Sequence, residues 1–193
     1  NLGWKLAAVL RGQAKPSILA TYSHERQALA QELIDFDRDF AKMFSARPKT
    51  QENTDDNSVD PAVFQQYFQK QGRFTAGVSV RYPPSTLTGD GKHQKLAEGL
   101  TVGMRFHSAP VIRVADARRL HLAPSLLPQK GRYGLKDYEK VFCADPNADI
   151  FSLRRIDREK GCLVIVRPDQ YVAQVLPIDT PDVALAYFND TLT

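Results

Sequence analysis

The sequence predicts an α+β fold, with helices gathered at the N-terminal end and short strands following them. Three observations carry this. Apolar residues recur at intervals of three and four through residues 1–48, the pattern of amphipathic helices. From Pro110 onward the period shortens to β-like runs. Arg167-Pro168-Asp169-Gln170 then joins two apolar runs, with proline at the second position of a hairpin turn. Helices first and strands later point to two structural units.

Taken in order, Leu2, Leu6, Val9 and Leu10 share one face of a first helix that Gly12 ends, and Pro16-Ser17 open the next. No capping signal precedes Leu2, which implies a helix entered midway and a chain that is a piece of a longer protein. The second helix places Ile18, Leu19, Tyr22, Leu29, Leu33, Phe36, Phe40, Met43 and Phe44 on one long face, and Pro48 ends it. Its interleaved charges, from Glu25 and Arg26 to Asp39, read as a solvated face. A Glu25-Arg26 contact to neighbouring helices would be a structural ion pair, worth about 0–1 kcal/mol if exposed.

Lys49 to Ser58 is polar and reads as a surface linker. Asp60-Pro61 supplies an N-cap and a first-turn proline for a short helix. Val63, Phe64, Tyr67 and Phe68 form its apolar face, and Gly72 is expected to stop it. Phe74 to Tyr82 reads as a weak strand ended by Pro83-Pro84, Thr88 to Gly91 as a turn, and Lys92 to Gly99 as loop or one helical turn. Pro110–Val114 and Leu120–Leu122 read as short strands. The stretch after Ala123 is crowded with proline and glycine, and Asp137–Phe142 fits helix or strand equally. Cys162–Val166 and Tyr171–Leu176 form the hairpin, and Pro181 opens a C-terminal helix.

Composition narrows the function. The 193 residues carry 26 basic and 22 acidic side chains, interspersed without the basic stripe of a nucleic-acid surface. No apolar run approaches the roughly 20 residues that span a bilayer. Cys143 and Cys162 stand far apart without a CxxC pair, which argues against dithiol redox chemistry or a zinc site and fits two reduced thiols of a cytoplasmic protein. His24, His93, His107 and His121 lack metal-ligand spacing. Ser108 lacks a G-x-S-x-G context, and Gly89–Gly91 is no phosphate loop.

Longer stretches carry a resemblance. NLGWKLAAVLRG followed by TYSHERQALAQELIDFD resembles the end of the flavin-binding domain in single-component FAD-dependent aromatic hydroxylases, the family of phenol 2-monooxygenase and 3-hydroxybenzoate 4-monooxygenase. GMRFHSAPVIRVADAR at 103–118 and LVIVRPDQYVAQVLP at 163–177 resemble that family's C-terminal thioredoxin-like domain, and TAGV at 75–78 and DYEKVF at 137–142 agree.

The resemblance implies three parts: residues 1–48 as closing helices of the FAD-binding domain, 49–100 as a linker with a short helix, and 101–193 as an abbreviated thioredoxin-like dimerisation domain. It also implies an internal deletion near 123–126, where the family carries further strands and helix. FAD, NADPH as reductant, a phenolic substrate and a homodimer are implied for the parent enzyme. The family's GxGxxG turn, which holds the FAD diphosphate at a helix N-terminus, is absent here. What remains toward the cofactor is Asn1, Trp4 and Lys5, acting through neighbours at most, with no catalytic or metal-binding residue. The expectation is therefore a chain inactive by itself, with a non-catalytic oligomerisation module of the same descent as the alternative.

Overall fold

A computed structural model describes residues 1–45, 60–122, 135 and 137–192. The expected Pro48 helix stop, the 49–58 linker and the 123–126 junction lie outside the described residues. Among the described residues the fold is α+β, with two small antiparallel sheets and five α-helices.

Helix α1 (Leu2–Leu10) ends in a turn at Gly12, whose φ of 65° suits glycine. Its inward face is not the one the leucine spacing predicts. Lys5 is fully buried and Trp4, Ala8 and Val9 pack on Ala14, Ile18 and Leu87, while Leu2, Leu6 and Leu10 are exposed, Leu10 by 83%. The rotation has an electrostatic cause, because Lys5 is drawn to partners inside the fold. A short 3-10 turn at Pro16–Leu19 leads into α2 (Ala20–Ser45). Of the charged residues on α2, Glu25 is buried, which corrects its assignment to the solvated face.

Asp60 caps α3 (Pro61–Thr75), its carboxylate accepting from the Ala62 amide at 2.8 Å. The helix runs through Gly72 instead of stopping there, because Phe74 in its last turn packs on Leu29, Val80 and Tyr82. This also overturns the strand expected over Phe74–Tyr82. Gly77, at φ 69°, turns the chain, and only an isolated bridge from Arg81 to Met104 remains. Aromatic rings join α3 to α2: Phe36 stacks on Tyr67 at 4.6 Å between centroids, and Phe44 meets Phe64 edge-on at 5.4 Å.

Strands β1 (Pro110–Arg113), β2 (Arg119–His121) and β3 (Phe142–Ala144) form one sheet in the order β2-β1-β3. Asp137–Phe142 thus resolves into a 3-10 turn at Tyr138–Lys140 followed by the start of β3. A four-residue helix α4 (Ile150–Leu153), capped by Asp149, is too short for periodicity to announce. The hairpin of β4 (Leu163–Val166) and β5 (Val172–Leu176) forms as expected. Its turn places Gln170 at φ 66°, the left-handed position that closes a three-residue loop. Helix α5 (Pro181–Thr191) returns to the N-terminal region, where Lys15 N–H donates to the Thr191 carbonyl at 3.3 Å and Lys15 Nζ to that of Asn189 at 2.7 Å.

Strand β5 is the best-buried element. Val172, Ala173, Val175 and Leu176 are all buried, and Val172 and Val175 form a core with Ala97, Leu100 and Val102. Gly103 links β5 to Tyr82: its N–H donates to the Val172 carbonyl at 2.8 Å, and its carbonyl accepts from Tyr82 N–H at 2.9 Å. A Cβ at Gly103 would lie 2.4 Å from the Tyr82 carbonyl oxygen, at a φ of +84°. Gly103→Ala is therefore expected to destabilise by about 2 kcal/mol or more, read as a lower urea midpoint at unchanged slope.

Candidate functional site

The largest concentration of buried polar chemistry lies where α1, α2 and the β4–β5 turn meet. Lys5 enters from α1 because Leu2–Leu10 is helical and places it one turn after Asn1. Glu25 enters from the first turns of α2, and Arg167 and Asp169 from the hairpin turn. Glu25 is fully buried and Arg167 is 3% exposed. Arg167 Nη1 donates to Glu25 Oε1 at 2.5 Å and Nη2 to Oε2 at 3.1 Å, a two-point guanidinium–carboxylate pair. The same guanidinium donates from Nε and Nη2 to the Asp169 carboxylate at 3.1 and 2.8 Å, and from Nη1 to the Thr88 hydroxyl at 3.2 Å.

Lys5 Nζ donates to Glu25 Oε2 at 2.9 Å and to the Thr21 hydroxyl at 2.7 Å. Thr21 in turn donates to the Ile18 carbonyl. Two cations and two carboxylates thus share the cluster and sum to zero charge. Aromatic rings wall it: the Arg167 guanidinium lies 5.0 Å from the Tyr82 ring and 5.8 Å from those of Trp4 and Tyr171.

The three residues expected near a cofactor, Asn1, Trp4 and Lys5, fall together in this cluster. The Asn1 amide nitrogen donates toward Glu25 at 2.6 Å and toward Tyr82 and Asp169 at 3.2 Å each. Two carboxylates on that side dictate the amide's orientation. Asn1 Oδ1 and Trp4 Nε1 are buried without a hydrogen-bond partner among the described residues.

Sequence reading missed the cluster's other half. The sequence shows Arg167 and Asp169 as turn residues only, and Glu25 as one of the charges on a solvated helix face. The one signal available was an arginine opening a turn between apolar strands, which does not name a partner 142 residues away. Elsewhere, Ser108 Oγ lies 3.4 Å from His121 Nδ1 on an exposed face. Among the described residues no group of histidine, cysteine and carboxylates is arranged to hold a metal ion.

The titrations follow from geometry. Burial alone would raise the Glu25 carboxyl, but hydrogen bonds from Arg167 and Lys5 outweigh it and hold Glu25 below its ordinary value. Burial lowers Lys5, against the opposing pull of Glu25. Burial, aided by Tyr171, pushes the Tyr82 phenol up to about 12.

Comparison with known proteins matches both sides of this cluster. A sequence profile described as "FAD binding domain" matches residues 1–37. One described as "Phenol hydroxylase, C-terminal dimerisation domain" matches residues 80–133 and 121–193. The chain belongs to the phenol hydroxylase C-terminal dimerisation family, and its residues 1–37 match an FAD-binding profile. It is 45% identical to "3-hydroxybenzoate 4-monooxygenase" of Comamonas testosteroni, over 97% of this chain and 41% of that protein. It is 28% identical to "FAD-dependent monooxygenase terD" of Aspergillus terreus (100% of this chain, 44% of that protein). It is 30% identical to a "Phenol 2-monooxygenase" of Pseudomonas sp. (61% and 19%). The chain therefore spans less than half the length of these relatives.

The described residues do not by themselves make a flavin cradle. The two buried cations, Lys5 and Arg167, are already neutralised by Glu25 and Asp169. A cavity of about 820 Å³ is walled mainly by aliphatic and aromatic side chains such as Phe106, Phe151, Val164 and Phe188.

Removing Arg167 leaves the buried Glu25 with the Lys5 ammonium and the Asn1 amide as its partners and takes away its two-point guanidinium contact. Arg167→Ala is expected to cost about 3–5 kcal/mol, whereas Arg38→Ala, in an exposed pair with Asp35, costs less than about 1 kcal/mol; urea unfolding of both variants checks this. Acid sensitivity has a definite sign. The Glu25 contribution is fully present above the ordinary glutamate value of 4.5 and is lost as pH falls through its lower folded value. Unfolding titrations of the native chain and of Glu25→Gln should differ by this acid-limb component.

Proposed function

We propose that this chain is the C-terminal part of an FAD-dependent monooxygenase that hydroxylates a phenolic ring, and that it is inactive in isolation. One observation carries the reading: the FAD-domain match and the dimerisation-domain match are locked together by the buried Glu25–Arg167 pair. FAD is the cofactor of the whole enzyme and NADPH its reductant, the flavin supplying the oxygen-transfer chemistry. The substrate is of the phenol or 3-hydroxybenzoate type, as the relatives' names indicate. The proposed site of action is the cytoplasm.

Within that enzyme, residues 1–48 close the flavin domain, 49–100 connect, and 101–193 form a thioredoxin-like domain that homodimerises. An internal stretch is missing near 123–126. The Comamonas testosteroni alignment runs over 266 positions against 193 residues here, and the dimerisation profile matches in two pieces that overlap at 121–133. Asn1, Trp4 and Lys5 act on the flavin through the placement of α1, since Lys5 is already held by Glu25 and Thr21.

A second reading, a non-catalytic oligomerisation module, is favoured by the cluster's lack of an unneutralised buried cation to meet a cofactor phosphate. Both readings agree on the chemistry of the isolated chain. Titrated with FAD and supplied with NADPH and 3-hydroxybenzoate, it is expected to bind no stoichiometric flavin and form no hydroxylated product. Product formation would refute inactivity. Light scattering is expected to give a dimer, and a strictly monomeric chain would remove the association role. Restoring a complete flavin domain upstream separates the readings: regained hydroxylation supports the first and persistent inactivity the second.

A further inference from the structure

We propose that Arg105, His107 and Arg154 form a binding site for a small oxyanion, a carboxylate or a phosphate. The site shares no residue with the Glu25–Arg167 cluster and does not depend on the flavin reading.

Local backbone chemistry places the three side chains. Phe106 N–H donates to the Gln170 carbonyl at 2.7 Å, and an isolated bridge ties Arg105 to Tyr171. The stretch is strand-like, so successive side chains point to opposite sides. Phe106 packs on the core beneath β5 and lines the cavity, which leaves Arg105 and His107 together on the other side. Arg154 directly follows α4 and is held closely at its main chain. Gly99 N–H donates to its carbonyl at 2.9 Å, and a Cβ at Gly99 would lie 2.7 Å from that oxygen. The Arg154 side chain then donates from Nη2 to the Ser108 carbonyl at 2.5 Å, which brings its guanidinium beside His107.

These cations lack a counter-charge among the described residues. A guanidinium carries five N–H donors and no acceptor. The Arg154 side chain makes one hydrogen bond there, to Ser108, and its Nε is buried without a partner. Neither Arg105 nor Arg154 meets a described carboxylate, because acids on neighbouring turns are engaged by other residues: Asp149 by Arg158, Glu98 by Arg155 and Asp157 by Lys160. His107 feels the result. Its partial burial and the charges of Arg154 and Arg105 lower its imidazole below the ordinary value. An oxyanion seated between the three groups satisfies the free guanidinium donors and supplies the missing negative charge. Forked guanidinium donors match carboxylate and phosphate oxygens in geometry, which sets the ligand class.

Imidazole NMR of the full chain tests this, with His107→Gln identifying the resonance. His107 is titrated with chloride as the sole anion, then with millimolar inorganic phosphate or acetate at equal ionic strength. A bound anion favours the protonated ring. Either oxyanion is therefore expected to raise the His107 midpoint by about half a pH unit or more, the mark of roughly threefold tighter binding to the imidazolium form. The exposed His24 on α2 is expected to stay unchanged. Arg154→Gln is expected to abolish the His107 response, and Arg105→Gln to weaken it.

No rise at His107 with either anion, an equal rise at His24, or an undiminished rise in Arg154→Gln overturns the inference. Should Arg154→Gln fail to fold, an undiminished rise in Arg105→Gln, whose side chain is exposed, overturns it instead. A rise with phosphate alone upholds the site and narrows its ligand to phosphates, and a rise with acetate alone narrows it to carboxylates. A rise with protein concentration in chloride upholds it too, and assigns the oxyanion to a carboxylate of a second copy.

Discussion

The contact between Glu25 and Arg167 holds together parts of the chain that are otherwise distant. It joins the second helix to a hairpin turn 142 residues further on, and Lys5 and Asn1 bring the first helix to the same carboxylate. As a source of net stability a buried ion pair is weak, because desolvation offsets most of the attraction. Its importance lies in the cost of breaking it and in how narrowly it constrains its surroundings. Both Glu25 oxygens, the guanidinium and the ammonium are satisfied together in this arrangement. That arrangement sets the rotation of α1, the entry of α2 and the seating of the hairpin turn.

The apolar clusters are consistent with this dependence. They are several and modest: one beneath β5, one under α1 and one around Tyr82 and Leu29. None alone spans the chain, so the polar cluster lies between them and is flanked by their aromatic members, Trp4, Tyr82 and Tyr171. Substantial apolar surface stays outside all three. Leu2, Leu6 and Leu10 form an exposed stripe on α1, and the groove beside β4 leaves a second surface open. Surfaces of this kind favour association with further polypeptide, in keeping with membership of a dimerisation family.

Some of this was legible in the sequence and some was not, for identifiable reasons. The Asp60-Pro61 cap, the short strands β1 and β2, the β4–β5 hairpin and the Pro181 helix depend on local backbone chemistry, and all are present. The α1 face failed because leucine spacing describes what a helix can bury, whereas a buried lysine with two partners decided what it does bury. Gly72 failed as a stop because the packing of Phe74 offsets glycine's helix cost of about 1 kcal/mol. The charge run on α2 was read correctly at Arg26, Glu32 and Asp35, which are exposed, and incorrectly at Glu25. No local pattern distinguishes that glutamate from its neighbours.

The sequence by itself determined the helix-then-strand order, the turn chemistry and, through long ordered matches, the family. Those are properties of neighbouring residues, and of motifs that survive as text. Only the tertiary structure decided that Arg167 serves more than its turn, that Glu25 is buried, and that Asn1, Trp4 and Lys5 share one site with them. The physical reason is range. A hydrogen bond within a turn is encoded by adjacent residues, whereas an ion pair closes only when two remote segments have already been brought together and dried.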